Sequence, residues 1–129
     1  MRLLIDTHIF IGLTRGTLKV AEPALYMLVM RPEANLYLSV ASIWEITIKH
    51  RLGKLDAGLN PEELEDFCRD SDIEVVSILA SHATAQATPE PPTRDPFDRM
   101  LLAQCKVEGY QLVTIDRALV NHPYAFTAT

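Results

Sequence analysis

The chain has 129 residues, a formal net charge of −5 and an apolar fraction of 48%, which are values typical of one soluble domain with a single core. No apolar run approaches the roughly 18–20 residues that span a bilayer, and Asp6 follows only three apolar residues, too few for a secretory signal of about 7–15. The net negative charge argues against a general nucleic-acid binder, unless divalent cations reverse the local sign. We therefore expect one domain over residues 1–129, in the cytoplasm and not in a membrane.

Short apolar runs predict four strands in chain order, at residues 3–5, 36–40, 73–78 and 112–115. Helices are predicted between them at residues 7–13, 24–30, 42–52, 62–69, 80–87 and 97–108. Residues 88–96 are irregular and contain four prolines, and residues 125–127 would add at most a short edge strand. The alternation of strands and helices predicts an α/β fold, in which a parallel sheet of four or five strands is covered on both faces.

Four acidic residues lie at positions where functional side chains are found in such a sheet. Asp6 and Asp116 each follow a predicted strand directly, and the ligand crevice of a parallel sheet lies beyond the carboxyl ends of its strands. Glu45 and Asp98 stand in or near predicted first helical turns, with Glu45 in a capping box after Ser42. Structural alternatives remain open for all four: helix caps at Asp6 and Asp116, a capping box or an ion pair with a lysine one turn later at Glu45, and a helix-start charge at Asp98.

The sequence around these acids resembles PIN domains, and in particular the VapC-type toxins of toxin–antitoxin systems. The resemblance runs over nearly the whole chain and rests on the segments Leu4-Ile5-Asp6-Thr7-His8, Ser42-Ile43-Trp44-Glu45-Ile46, residues 94–103 and Leu112-Val113-Thr114-Ile115-Asp116. It implies a single PIN domain over residues 1–129 with a three-layer α/β/α sandwich. It also implies a Mg²⁺- or Mn²⁺-dependent endoribonuclease that cleaves RNA, is inhibited by a cognate antitoxin and forms a homodimer. The catalytic and metal-binding residues would be Asp6, Glu45, Asp98 and Asp116.

The chemistry of these side chains suits that expectation, since Mg²⁺ and Mn²⁺ are hard cations that favour oxygen ligands. Thr7 and Thr114 are expected to hydrogen-bond to the carboxylates. Asp95 lies one helical turn before Asp98, and it is either a further ligand or the N-cap of its helix.

The remaining expectations concern three buried side chains, the apolar segment at residues 24–30 and two competing functions. Trp44 is predicted to pack in the core, as are the thiols of Cys68 and Cys105. Residues 24–30 lack a polar face, which predicts a contact with an antitoxin or a second subunit. A receiver-like or phosphatase-like enzyme is disfavoured because Asp6 is followed by Thr7-His8 and not by a second acid, and because the last lysine, Lys106, lies inside a predicted helix. A PIN-like RNA- or protein-binding module without nuclease activity is the remaining alternative.

Overall fold

The computed structural model describes residues 1–127. Four parallel strands form one sheet in the order β3-β2-β1-β4, with β1 at Arg2–Ile5, β2 at Asn35–Ser39, β3 at Ile73–Val76 and β4 at Gln111–Val113. The predicted α/β fold with a central parallel sheet is therefore confirmed. The segment near residue 125 contributes one parallel bridge, between Ala125 and Leu112, and not a fifth strand.

Seven α-helices within residues 1–127 connect the strands. Between β1 and β2 lie α1 (Thr7–Arg15), α2 (Leu18–Ala21) and α3 (Pro23–Val29); between β2 and β3 lie α4 (Val40–Arg51), a 3₁₀ turn (Pro61–Glu63) and α5 (Leu64–Asp70); between β3 and β4 lie α6 (Ala80–Thr84) and α7 (Pro96–Glu108). None of the helices described in residues 1–127 combines the length and the apolar character needed to cross a membrane.

Two apolar cores lie on the two faces of the sheet. Leu3 and Ile5 of β1 belong to one core, which also contains Cys68. Leu4, between them in sequence, belongs to the other core together with Cys105 of α7. Successive residues of a strand point to opposite faces, so a strand that is buried on both sides is a continuous apolar run. This arrangement gives the predicted three layers, and both cysteines are free and buried as expected.

The helix α4 begins earlier than the sequence predicts. Ser39, not Ser42, is its N-cap, and the Ser39 side chain accepts a hydrogen bond from the N–H of Ala41 at 3.0 Å. The chain passes from β2 into α4 without a loop, so the apolar residues Val40 and Ala41 are already helical. Glu45 consequently lies in the second turn, and the predicted capping box is wrong.

Candidate active site: a carboxylate crevice at the strand ends

Asp6 lies immediately after the central strand β1 and caps α1. Its carboxylate accepts a hydrogen bond from the N–H of His8 at 3.3 Å and another from the hydroxyl of Thr114. Its side chain is buried, and burial raises its pKa while the two hydrogen bonds act in the opposite direction. The predicted cap and the predicted bond from Thr114 are both confirmed, and they fix this carboxylate at the edge of the sheet.

Glu45 is buried on α4 between a hydroxyl and an ammonium group. The hydroxyl of Thr7 donates to its Oε1 at 2.7 Å, and the Nζ of Lys49 donates to its Oε2 at 2.6 Å. The bond to Glu45 is the main cause that raises the pKa of Lys49, and the charges of Asp95 and Asp98 raise it further. The ion pair one turn along the helix is therefore confirmed, and Lys49 faces the same crevice as the acids.

Asp116 lies three residues beyond β4, which ends at Val113, so the prediction that it directly follows the strand is wrong. The chain leaves the sheet where the Oγ1 of Thr114 bonds to Asp6 and accepts the N–H of Asp116 at 3.0 Å. The carboxylate of Asp116 then accepts the N–H of Ala118 at 2.8 Å and begins a turn. Thr114 thus links two of the predicted site residues.

Asp95 and Asp98 lie at the start of α7. Asp95 is the N-cap and accepts the N–H of Phe97 at 2.9 Å, which confirms its capping role. Asp98 is half-buried, and its pKa is raised to about 7, first by burial and then by the charges of Asp95, Asp6, Asp116 and Glu45. The four predicted acids and Asp95 therefore lie close enough for their charges to act on Asp98, and we call the region between them the carboxylate crevice.

The acids of this crevice offer carboxylate oxygens, and hard divalent cations favour oxygen ligands. The chemistry of the side chains therefore fits such a cation. Burial is the main cause that raises the pKa of Asp98, and the charges of the neighbouring acids raise it further. No three His, Cys, Asp or Glu side chains of residues 1–127 are arranged so that they would hold a metal ion together. The oxygens of Asp6 and Glu45 are instead directed at protein hydrogen-bond donors. The metal-binding and catalytic roles of the four acids remain a prediction.

Trp44 does not lie in the core, contrary to the prediction. It is 60% exposed and contacts Phe97 edge-to-face, with ring centroids 5.7 Å apart and an interplanar angle of 74°. The physical reason is the phase of α4, whose buried face runs through Ala41 and Glu45 and leaves Trp44 outside it.

The helix α3 exposes apolar surface away from the crevice. Leu28 and Val29 are buried, but Met27 is 67% exposed. An apolar groove of about 320 Å³ lies beside this helix, and its walls include Leu13, Leu18, Tyr26, Met30 and Phe67. The predicted absence of a polar face is therefore real, and the exposed apolar surface is separate from the acids.

Comparison with known proteins identifies the family. The chain matches the model of the PIN domain over residues 3–123. Its structure is similar to a toxin–antitoxin complex from Klebsiella pneumoniae (18% identity, TM-score 0.63, covering 97% of this chain and 96% of that chain). It is also similar to VapBC2 from Rickettsia felis bound to a DNA fragment from their promoter (13% identity, TM-score 0.63, covering 98% and 96%). No curated protein matches the sequence. The family match spans nearly the whole chain and both similar structures share its fold, so the chain belongs to the PIN domain family.

Proposed function

We propose that this PIN domain is a Mg²⁺- or Mn²⁺-dependent endoribonuclease that hydrolyses RNA phosphodiester bonds. The observation that carries the proposal is the convergence of Asp6, Glu45, Asp98 and Asp116, with a pKa of about 7 at Asp98. Such a concentration of carboxylates destabilises the folded chain unless a cation binds there. Membership of the PIN domain family supports nuclease activity.

In this proposal the four acids would hold the ion at the carboxyl edge of the sheet. When bound, a divalent ion supplies Lewis acidity to the phosphodiester and makes water a stronger acid at neutral pH. Thr114 and Thr7 hold the carboxylates of Asp6 and Glu45 in fixed orientations through their hydroxyl groups. Lys49 balances part of the negative charge at Glu45.

We further propose that the nuclease is the toxin of a toxin–antitoxin pair, works in the cytoplasm and forms a homodimer. The Klebsiella pneumoniae structure to which the chain is similar is a toxin–antitoxin complex. The exposed Met27 and the groove beside α3 offer an apolar surface to an amphipathic antitoxin helix. A PIN domain that only binds RNA or protein is the alternative, and the clustering of the carboxylates favours the nuclease.

The test is cleavage of a mixed RNA pool by purified protein with Mn²⁺, with Mg²⁺ and with EDTA. Asp6→Asn, Glu45→Gln, Asp98→Asn and Asp116→Asn should each lower the rate by at least about a hundredfold while circular dichroism shows a folded protein. Asp70→Asn removes the same charge from the exposed end of α5 and should cleave normally. Near-normal cleavage by Asp6→Asn or Asp98→Asn would contradict the metal site, and an inactive wild type would favour the binding module.

A further inference from the structure

An exposed pair of aromatic rings lies at the margin of the carboxylate crevice. Trp44, the only tryptophan of the chain, is 60% exposed although tryptophan is usually highly buried. The edge-to-face contact with Phe97 steadies the indole from one side. The remainder of the indole is therefore presented to solvent in a defined orientation.

The position of this pair relative to the acids follows from the two helices that carry it. Trp44 directly precedes Glu45 on α4, and Phe97 directly precedes Asp98 on α7. α4 and α7 pack against each other, and Trp44 meets Phe97 at this contact. The aromatic pair and the two carboxylates are thus neighbours across the same helix–helix contact.

We propose that Trp44, supported by Phe97, is a stacking platform for a nucleobase next to the phosphodiester that is cleaved. This inference rests on the proposed nuclease function and adds the group that binds single-stranded RNA beside the acids. An indole stacks on any base because every base has a π-face. The platform would therefore hold unpaired RNA with little preference for sequence.

The charges around the crevice favour a base over a phosphate as the group bound here. The chain carries a net charge of −5, and Lys49, a cation that faces the acids, is already bonded to Glu45 at 2.6 Å. Lys49 is therefore engaged by a carboxylate of the protein itself. Stacking adds affinity without requiring further cations. An exposed indole would therefore supply affinity for RNA on a surface whose acidic charge opposes the binding of phosphates.

The single tryptophan makes the proposal directly measurable, because fluorescence excited selectively at tryptophan then reports on Trp44 alone. Wild-type protein in Ca²⁺, used in place of Mn²⁺ to limit cleavage, is titrated with a single-stranded RNA oligonucleotide, with the same oligonucleotide made abasic, and with a duplex of the same sequence. Saturable quenching by the single strand, with much weaker quenching by the abasic and duplex forms, is expected. Equal quenching by the abasic oligonucleotide would overturn the proposal.

Kinetics of the cleaving protein provide the second measurement. Trp44→Leu keeps an apolar side chain but removes the stacking surface, and it should raise KM by about five- to hundredfold with kcat within a few-fold of wild type. Trp44→Phe keeps a ring and should restore most of the KM. Val107→Ala removes an exposed apolar side chain at the other end of α7 and is the matched control.

The outcomes separate this proposal from the proposed function. Cleavage with an unchanged KM in Trp44→Leu and no quenching refutes the platform and leaves the nuclease intact. Selective quenching without cleavage of any RNA supports the platform and removes the nuclease. A loss of kcat alone means that Trp44 only supports the start of α7. Fluorescence that shifts with protein concentration and not with RNA means that this surface contacts another copy of the chain, and either result refutes stacking.

Discussion

Removing one charge from the carboxylate crevice should stabilise the metal-free protein. Asp98→Asn is the change of choice, because burial and four neighbouring carboxylates raise the pKa of Asp98 to about 7 from an ordinary 3.8. Each pKa unit between the folded and unfolded states corresponds to 1.36 kcal/mol, so the upper bound on the gain is about 4 kcal/mol. Solvent screening of a half-buried group reduces this to about 1–2 kcal/mol.

The substitution also removes a favourable charge from the first turn of α7, which costs about 0.3–1 kcal/mol. The net gain is then on the order of 1 kcal/mol, or about 4 °C in Tm for a domain of this size. The gain depends on pH in a defined direction. An acid with a raised folded-state pKa loses stability as pH rises from the unfolded value near 4 to the folded value near 7. The advantage of Asp98→Asn should therefore be nearly absent at pH 4 and complete above pH 7.

Thermal denaturation after EDTA treatment and dialysis, at pH 4 and pH 8, measures both the gain in Tm and its dependence on pH. Glu65→Gln, which removes an exposed acid from the first turn of α5, is the matched control and should lower Tm slightly at pH 8. Mn²⁺ at a hundred times its dissociation constant should add about 2.7 kcal/mol to the wild type and much less to Asp98→Asn. If Asp98→Asn melts below the wild type at pH 8, and Mn²⁺ stabilises neither protein, the reasoning from clustered carboxylates is wrong.

Three further changes test other parts of the structure. Thr114→Val removes the hydrogen bond that lowers the pKa of Asp6. Cleavage should therefore fall by at least about tenfold, and the acidic limb of its pH profile should move to higher pH. An unshifted profile would show that Thr114 does not act on the site. Met27→Glu places a charge on the exposed surface of α3 and should weaken antitoxin binding by at least about tenfold in calorimetry; unchanged affinity would place the antitoxin elsewhere. Gly109→Ala forces a side chain into the left-handed conformation at φ 78° that ends α7, and should cost about 1 kcal/mol or roughly 4 °C; an unchanged Tm would show that the cap is relaxed.

The sequence predicts the sheet and the helix α7 well because each has strong local signals. The run Leu3 to Ile5 is apolar because β1 is buried on both faces. The end of α7 is marked by Gly109, whose backbone is left-handed. Asp6 follows directly from the strand that precedes it, so its place at the edge of the sheet needs no tertiary information.

The errors occur where a long-range contact decides a local boundary. α4 starts at Ser39 because β2 continues into it without a turn, and two good capping serines in the same stretch leave the choice to tertiary packing. β4 stops at Val113 because Thr114 bonds to Asp6, 108 residues away in sequence. Trp44 is exposed because α4 packs through the face that carries Ala41, Ser42, Glu45 and Ile46, and tertiary packing decides which face of a helix is buried.

The strand order also has a consequence for the timing of folding during synthesis. β1 leaves the ribosome before the other strands, yet it lies between β2 and β4 in the sheet. Its pairing with β4 joins residues 3–5 to residues 111–113, so the centre of the sheet is completed only after the segment at 111–114 has emerged. The bond from Thr114 to Asp6 forms at this same step. A nascent chain that stops short of that segment would therefore lack an assembled carboxylate crevice, and the proposed nuclease would stay inactive until synthesis had passed this segment.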